Sequence, residues 1–261
     1  MASKPTEDIV QEAQRIVNMA DERALTLRLF GGIAIRFHCP SAIHRGLQRK
    51  YADIDFMGIA KQSKGIKKLF IDLGYEPREI FNRMNGDKRL IFNDLEHARR
   101  VDIFYGKFEM CHKFNFENRL LADKPTISLA DLLATKLQVV EITDREYRDI
   151  IALIHDHDVG DTDAPEMING AYLATICGHD WGIYKTFSIN ISNILSGLGD
   201  YALAQQDKDL ISKRLEDLRS RIESVPKSTG WKIRAEIGER KKWYELPEQD
   251  KEIIDSATRR P

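Results

Sequence analysis

Residues 51 to 58 read YADIDFMG, an extended pattern in which acids and apolar side chains take turns. Successive side chains of a strand leave opposite faces, so Asp53 and Asp55 share one face while Ile54 and Phe56 share the other. A strand of this kind requires a sheet with one face on a core and one face at a polar site. A second stretch, RRVDIFYG, repeats the composition, with Asp102 between Val101 and Ile103. If the two strands are neighbours, three carboxylates meet on one patch, where their repulsion raises their pKa values. A divalent cation removes that conflict, and hard oxygen donors with open positions suit Mg²⁺ better than zinc. Two such ions about 4 Å apart activate an attacking hydroxyl and stabilise a leaving pyrophosphate. The alternative is that these acids face solvent or pair with Arg99, Arg100 or Lys50.

Around this strand the chain changes period. Ile9, Val10, Ala13, Ile16, Val17 and Ala20 recur at helical spacing after KPTED, where Thr6 offers a cap, so a first helix is expected to about Asp21. ALTLRLF alternates as a strand and stops at Gly31 and Gly32, and IAIRFHC then forms a short helix that ends before Pro40. Residues 41 to 50 read as a loop, and QSKGIKKLFIDLGY as a helix closed by Gly74. YEPREIFNR, DKRLIFND and RRVDIFYG are expected as short antiparallel strands of the same sheet. From SLADLLATKLQVVEITDREYRDIIALIHDH onward the pattern is helical. The expected architecture is α+β: a mixed sheet flanked by helices in residues 1–125, followed by a helical C-terminal domain in 126–261.

Composition narrows the function classes. The formal charge is −1, from 40 basic and 41 acidic side chains among 261 residues, so any anion site is local rather than a global field. Cys39, Cys111 and Cys177 lie far apart, which fits buried apolar roles better than disulfides or a thiolate zinc site. No run is long enough to span a bilayer and no secretion signal is visible, so a cytoplasmic location is the expectation. No Walker, Rossmann or G-x-S-x-G pattern occurs.

A Gly-Gly turn directly after a strand lets backbone N–H groups approach a phosphate, and the following helix adds a favourable dipole. The series LFGGIAIRF, RKYADIDFMG, RRVDIFYG and LADLLATKLQVVEITDREYRDI resembles the nucleotidyltransferase (DNA polymerase β-like) superfamily over roughly residues 25 to 155. It is most similar to the abortive-infection type IV toxins of that superfamily, the AbiEii-like branch. The resemblance implies a Mg²⁺-dependent transfer of a nucleoside monophosphate from an NTP to an acceptor hydroxyl, with two ions. It implies metal ligation by Asp53, Asp55 and Asp102, the last also helping to activate the acceptor. Gly31 and Gly32 are then triphosphate donors, and Arg49 matches the family's R-x-[ST]-x-D-h-D-h element. Tyr51 stands where that element has Ser or Thr. Lys136, Arg145 and Asp149 match a later helix, with Lys136 a phosphate contact and Asp149 orienting it or touching the nucleotide. A further acid that follows in the family is missing here, at Ala152 and Leu153. The branch implies tRNA or another RNA as acceptor and an antitoxin as partner. A small-molecule antibiotic acceptor, or a non-catalytic module on the same fold, are the other readings.

Two further features carry simpler readings. IHDHDVGDTD, residues 154 to 163, holds two histidines and four aspartates, and reads as a solvated linker rather than a metal site. RLEDLRSRIES and WKIRAEIGERKKWYE interleave cations with Trp231, Trp243 and Tyr244, a pattern that stacks on bases in some RNA binders. Their acids recur at i to i+4 spacing, however, as on a solvated helix face.

Overall fold

The computed structural model describes residues 4–44 and 46–246. The first helix, α1 (Ile9–Glu22), buries Ala13, Ile16, Val17 and Ala20, the stripe set by its spacing. Its cap is Asp8 rather than Thr6: Asp8 Oδ1 accepts from the Val10 and Gln11 amides at 2.9 and 2.8 Å. The Thr6 hydroxyl donates instead to Glu12.

Strand β1 (Leu27–Phe30) runs straight into α2 (Gly31–His38). A 3-10 turn at Pro40–Ile43 follows, then β2 (Asp53–Gly58) and α3 (Ser63–Asp72), whose exit is Gly74 at φ +86°. Next come β3 (Glu76–Pro77), α4 (Glu79–Asn85), β4 (Arg89–Asp94) and β5 (Arg99–Tyr105). The α4 helix replaces the strand expected through YEPREIFNR. Only two residues pair as β3, and beyond them the buried Asn82 amide takes the place of a strand. It donates to the Ile91 carbonyl at 2.9 Å and accepts from the Ile91 amide at 2.7 Å. With the edge of β4 satisfied in this way, the segment is free to turn helical.

The principal sheet has the order β1-β2-β5-β4-β3. β2 and β5 are parallel and the other pairs antiparallel, so β5 joins the acid-bearing strand in a parallel sense, not the antiparallel one expected. One face carries Ile54, Phe56, Val101, Ile103 and Phe92, all buried. Phe70 of α3 packs on Phe56 and Phe92 there, with ring centroids 6.0 and 4.9 Å away. Each fully buried phenylalanine contributes about 2–3 kcal/mol over an exposed one, which holds the register that places the acids. The opposite face carries those acids. The free edge of β1 is covered by residues 125–127, through Leu29 N to the Pro125 carbonyl and Ile127 N to the Leu29 carbonyl.

A hairpin of β6 (Lys107–Glu109) and β7 (Lys113–Asn115) leads to α5 (Leu129–Leu137) and α6 (Asp144–Asp156). Then follow β8 (Asp158–Gly160), β9 (Met167–Asn169), α7 (Gly170–His179), α8 (Trp181–Gly197), α9 (Gln205–Ser224) and α10 (Thr229–Ile237). The segment 154–163 is therefore not a solvated linker: α6 ends in it, and β8 pairs in parallel with β9. Three of its four aspartates pair with arginines, Asp158 with Arg214 and Asp161 with Arg221 at the surface and Asp163 with Arg119, while Asp156 accepts from the Ser41 amide. The interleaved aromatics turn inward as well. Trp231 packs on Tyr184, and Trp243 packs on Trp181 and donates Nε1 to Thr186 at 3.1 Å. Among the described residues no helix is long and apolar enough to cross a membrane. One hydrophobic cluster runs from Ala13 in α1 to Ile222 in α9.

Candidate active site

Register brings the acids together. On the parallel strands β2 and β5, Asp55 lies opposite Asp102 and Asp53 lies opposite Arg100, so all four side chains leave one face. On the other side of β2, Phe30 lies opposite Asp55, and the chain passes at once into Gly31 and Gly32. The turn therefore sits directly beside the D-x-D pair. A Cβ on Gly31, which has φ +71°, would fall 2.4 Å from Asp55 Oδ2, and one on Gly32 would fall 2.0 Å from an Arg49 guanidinium nitrogen. Only glycine gives both the left-handed backbone at Gly31 and this approach. No side chain caps α2, so its first amides remain open to an anion.

These contacts make Gly31→Ala a local test. The variant is expected to lose about 1–3 kcal/mol of stability from backbone strain and to push the Asp55 carboxylate aside. Urea denaturation reads the first effect; a midpoint equal to that of the wild type would show that the turn does not require glycine at this position.

The three carboxylates are not equivalent. Asp53 is exposed and Asp55 half-buried, and neither accepts a hydrogen bond or ion pair from the described residues. Burial pushes the Asp55 carboxyl up to about 7, and the Asp53 and Asp102 charges push the same way against Lys136 and Arg89. Asp102 is buried and ion-paired on both oxygens. Its Oδ1 accepts from Arg89 Nε at 2.9 Å and Arg100 Nη2 at 3.0 Å, and Arg100 Nε lies 2.8 Å from Oδ2 without hydrogen-bond alignment. The three carboxylates do converge, but both Asp102 oxygens face guanidinium groups, Oδ1 through hydrogen bonds and Oδ2 through charge alone. Arg100 was one of the partners that strand composition offered; Arg99 points to the other face and binds Asp94.

A second cluster flanks the glycines. Arg49 makes a two-pronged contact with the buried Asp149, Nε to Oδ1 at 2.7 Å and Nη2 to Oδ2 at 2.8 Å, and stacks 4.2 Å over the Tyr51 ring. Lys136 Nζ reaches the same Asp149 Oδ2 at 2.7 Å. One carboxylate thus holds two cations from a loop and from α5. Tyr51, where the resemblance has Ser or Thr, serves as the stacking surface for Arg49. Arg145 pairs with Glu146 at 3.0 Å and feels the Asp53 and Asp149 charges. Sequence reasoning missed Arg89. The signal was available only through hairpin register, which sets Ile91 opposite Asp102 and Arg89 one same-face step further along β4.

The donor set of Asp53 and Asp55, two hard carboxylates with unclaimed oxygens, fits a divalent cation such as Mg²⁺. Among the described residues no group of three acidic, histidine or cysteine side chains is arranged to hold a metal ion. Among those residues Asp53 and Asp55 have no ion-pair partner, whereas Asp102 is paired with Arg89 and Arg100.

No protein-family profile matches the chain, and no curated protein sequence does. Among solved structures it is similar to the lincosamide antibiotic adenylyltransferase LnuA in its lincomycin-bound form. The identity is 20%, the match covers 56% of this chain and 94% of that one, and the TM-score is 0.39. It is also similar to the antibiotic-resistance factor ANT(2'')-Ia in solution, at 12% identity over 82% of this chain and 94% of that one, with TM-score 0.36. Likeness at that level carries no conclusion about activity.

Proposed function

We propose that the protein is a nucleotidyltransferase that moves a nucleoside monophosphate from an NTP to an acceptor hydroxyl. The acceptor oxygen bonds to the α-phosphorus, the bond to the pyrophosphate oxygen breaks and the hydroxyl proton is released. The observation that carries this reading is the unpaired Asp53 and Asp55 set beside the open amides of the Gly31–Gly32 turn. A divalent ion on the D-x-D pair supplies charge neutralisation at the α-phosphate. The amides of the turn receive the phosphates, Lys136 adds a point charge, and Asp149 orients Lys136 and Arg49. Positioning and charge stabilisation then account for the catalysis. The AbiEii-like resemblance favours RNA, tRNA included, as acceptor, with an antitoxin as partner.

A small-molecule acceptor is the second reading, favoured by a cleft of about 390 Å³ lined by Tyr147, Arg148, Asp144, Ile194, Asp200 and Tyr201. That volume fits a drug-sized ligand. Labelled NTPs with Mg²⁺ and either total tRNA or a panel of hydroxylated antibiotics separate the readings. Transfer by wild type and not by Asp53→Ala supports the enzyme; no transfer to any acceptor rejects it. A steep salt dependence of acceptor binding marks RNA, a shallow one a drug.

A further inference from the structure

Asp102 occupies the place where the resemblance expects a third metal ligand, yet its surroundings are those of an anchor. Two guanidinium groups converge on one buried carboxylate, leaving a net positive charge on the floor of the acidic face. The sheet order explains where that charge lies. With β2 between β1 and β5, the Gly31–Gly32 turn flanks the D-x-D pair on one side and the arginine pair on the other.

Neighbouring Arg99 shows what a purely structural arginine looks like in this strand. Its side chain is 6% exposed, and it donates to Asp94 and to the carbonyls of Glu7 and Thr6. Arg89 and Arg100 are different. Their side chains are 27% and 34% exposed, while the carboxylate beneath them is 5% exposed. Neither Nη1 donates to a described residue, whereas Arg100 Nε is buried against Asp102 Oδ2. A guanidinium carries five N–H donors in a planar fork that matches phosphate oxygens. Arg89 is also braced from one side, 4.5 Å over the Phe104 ring, which limits the directions its free donors can take. One carboxylate thus fixes two cations without exhausting them.

We propose that Asp102 is a positioning residue, not a metal ligand, and that it holds Arg89 and Arg100 as a phosphate-binding pair on the flank of Asp53 and Asp55 opposite the glycine turn. The inference rests on the nucleotidyltransferase reading and specifies how that site divides its work. Cation binding belongs to the D-x-D pair alone. The arginine pair takes a phosphate group, supplied either by the NTP and its pyrophosphate product or by the acceptor next to its reacting hydroxyl. In the first case the arginines balance the charge of the leaving group; in the second they orient the attacking oxygen. Either way Asp102 acts through the arginines and touches no reacting atom.

Binding measurements on the full chain test this without relying on turnover. Mn²⁺ titration, read by the loss of the free-ion paramagnetic signal, is compared for wild type, Asp55→Asn and Asp102→Asn, with circular dichroism as the check on folding. Asp55→Asn is expected to weaken Mn²⁺ about tenfold or more, and Asp102→Asn to leave it within about twofold. Arg89→Gln and Arg100→Gln carry the second arm, which survives even if Asp102→Asn fails to fold. Calorimetric binding of pyrophosphate reports the nucleotide source, and binding of an oligonucleotide with and without a phosphate beside its terminal hydroxyl reports the acceptor source. In one of these, each arginine variant is expected to weaken the phosphorylated probe about tenfold. A non-phosphorylated nucleoside is expected to bind all variants equally, and Arg→Lys to recover part of the loss. The proposal is overturned if wild type binds Mn²⁺ and NTP normally while Asp102→Asn loses Mn²⁺ as Asp55→Asn does. It is equally overturned if both arginine variants bind every phosphate probe like wild type. A wild type that binds neither Mn²⁺ nor NTP rejects the nucleotidyltransferase reading itself, a result distinct from both.

Discussion

Asp55→Asn is expected to abolish nucleotidyl transfer, by about a thousandfold or more, and at the same time to stabilise the metal-free protein at alkaline pH. The activity loss follows, on the proposed function, from removing a cation ligand beside the glycine turn. The stability gain follows from the charge state. The Asp55 carboxyl stands at about 7 in the folded protein against an ordinary 3.8, because of burial first and of Asp53 and Asp102 second. Between those values the unfolded chain releases its proton while the folded chain keeps it, so wild-type stability falls as pH rises through that window. Full burial would make the loss about 4 kcal/mol by pH 8; the carboxyl is half-buried, and water screening brings the expected value to about 2. Asparagine has no proton to release, so the variant and wild type converge below about pH 4, draw apart between about 4 and 7 and stay apart above that. Urea midpoints in chelator at pH 5 and pH 8 measure this. Added Mg²⁺ is expected to narrow the gap, since an ion bound only to the folded wild type stabilises it. A variant less stable than wild type at pH 8 would contradict the account.

The largest stability effect is expected at Asp149. Its carboxylate is 3% exposed and answers both Arg49 and Lys136, so Asp149→Ala leaves two cations facing each other without the carboxylate that both contact. Breaking a buried pair from one side costs about 3–5 kcal/mol, and here two partners are stranded. Thermal melting is expected to drop by roughly 10 °C for a chain of this size. Lys136→Met is the contrast. It keeps the two-pronged Arg49–Asp149 pair, so it is expected to lose much less stability, while removing the proposed phosphate contact and with it most of the activity. Equal melting temperatures for the two variants would show that Asp149 is not the hub that the geometry makes it.

That Asp53 and Asp55 share a face was legible because strand alternation is a local rule; that Asp102 joins them hung on the two strands being neighbours, which the β2–β5 pairing supplies. The glycine turn was legible for a similar reason: a strand that stops at Gly-Gly before a helical pattern has few local solutions. Lys136 and Asp149 came from a resemblance rather than from spacing, and the structure brings them into contact across α5 and α6. The strand expected through YEPREIFNR failed because a buried asparagine side chain, invisible to periodicity, satisfies the edge of β4. Three aspartates of segment 154–163 looked solvent-bound because their arginine partners lie some 44 to 60 residues away in the chain.

By itself, the sequence determined which side chains leave the sheet together and where the backbone comes close enough to receive a phosphate, since both depend on residues adjacent in the chain. Only the tertiary structure decided which charges answer those acids. Ion pairing depends on strand order and register, set by packing between distant segments, so the chain alone does not reveal that Asp53 and Asp55 stay open while Arg89 and Arg100 close on Asp102.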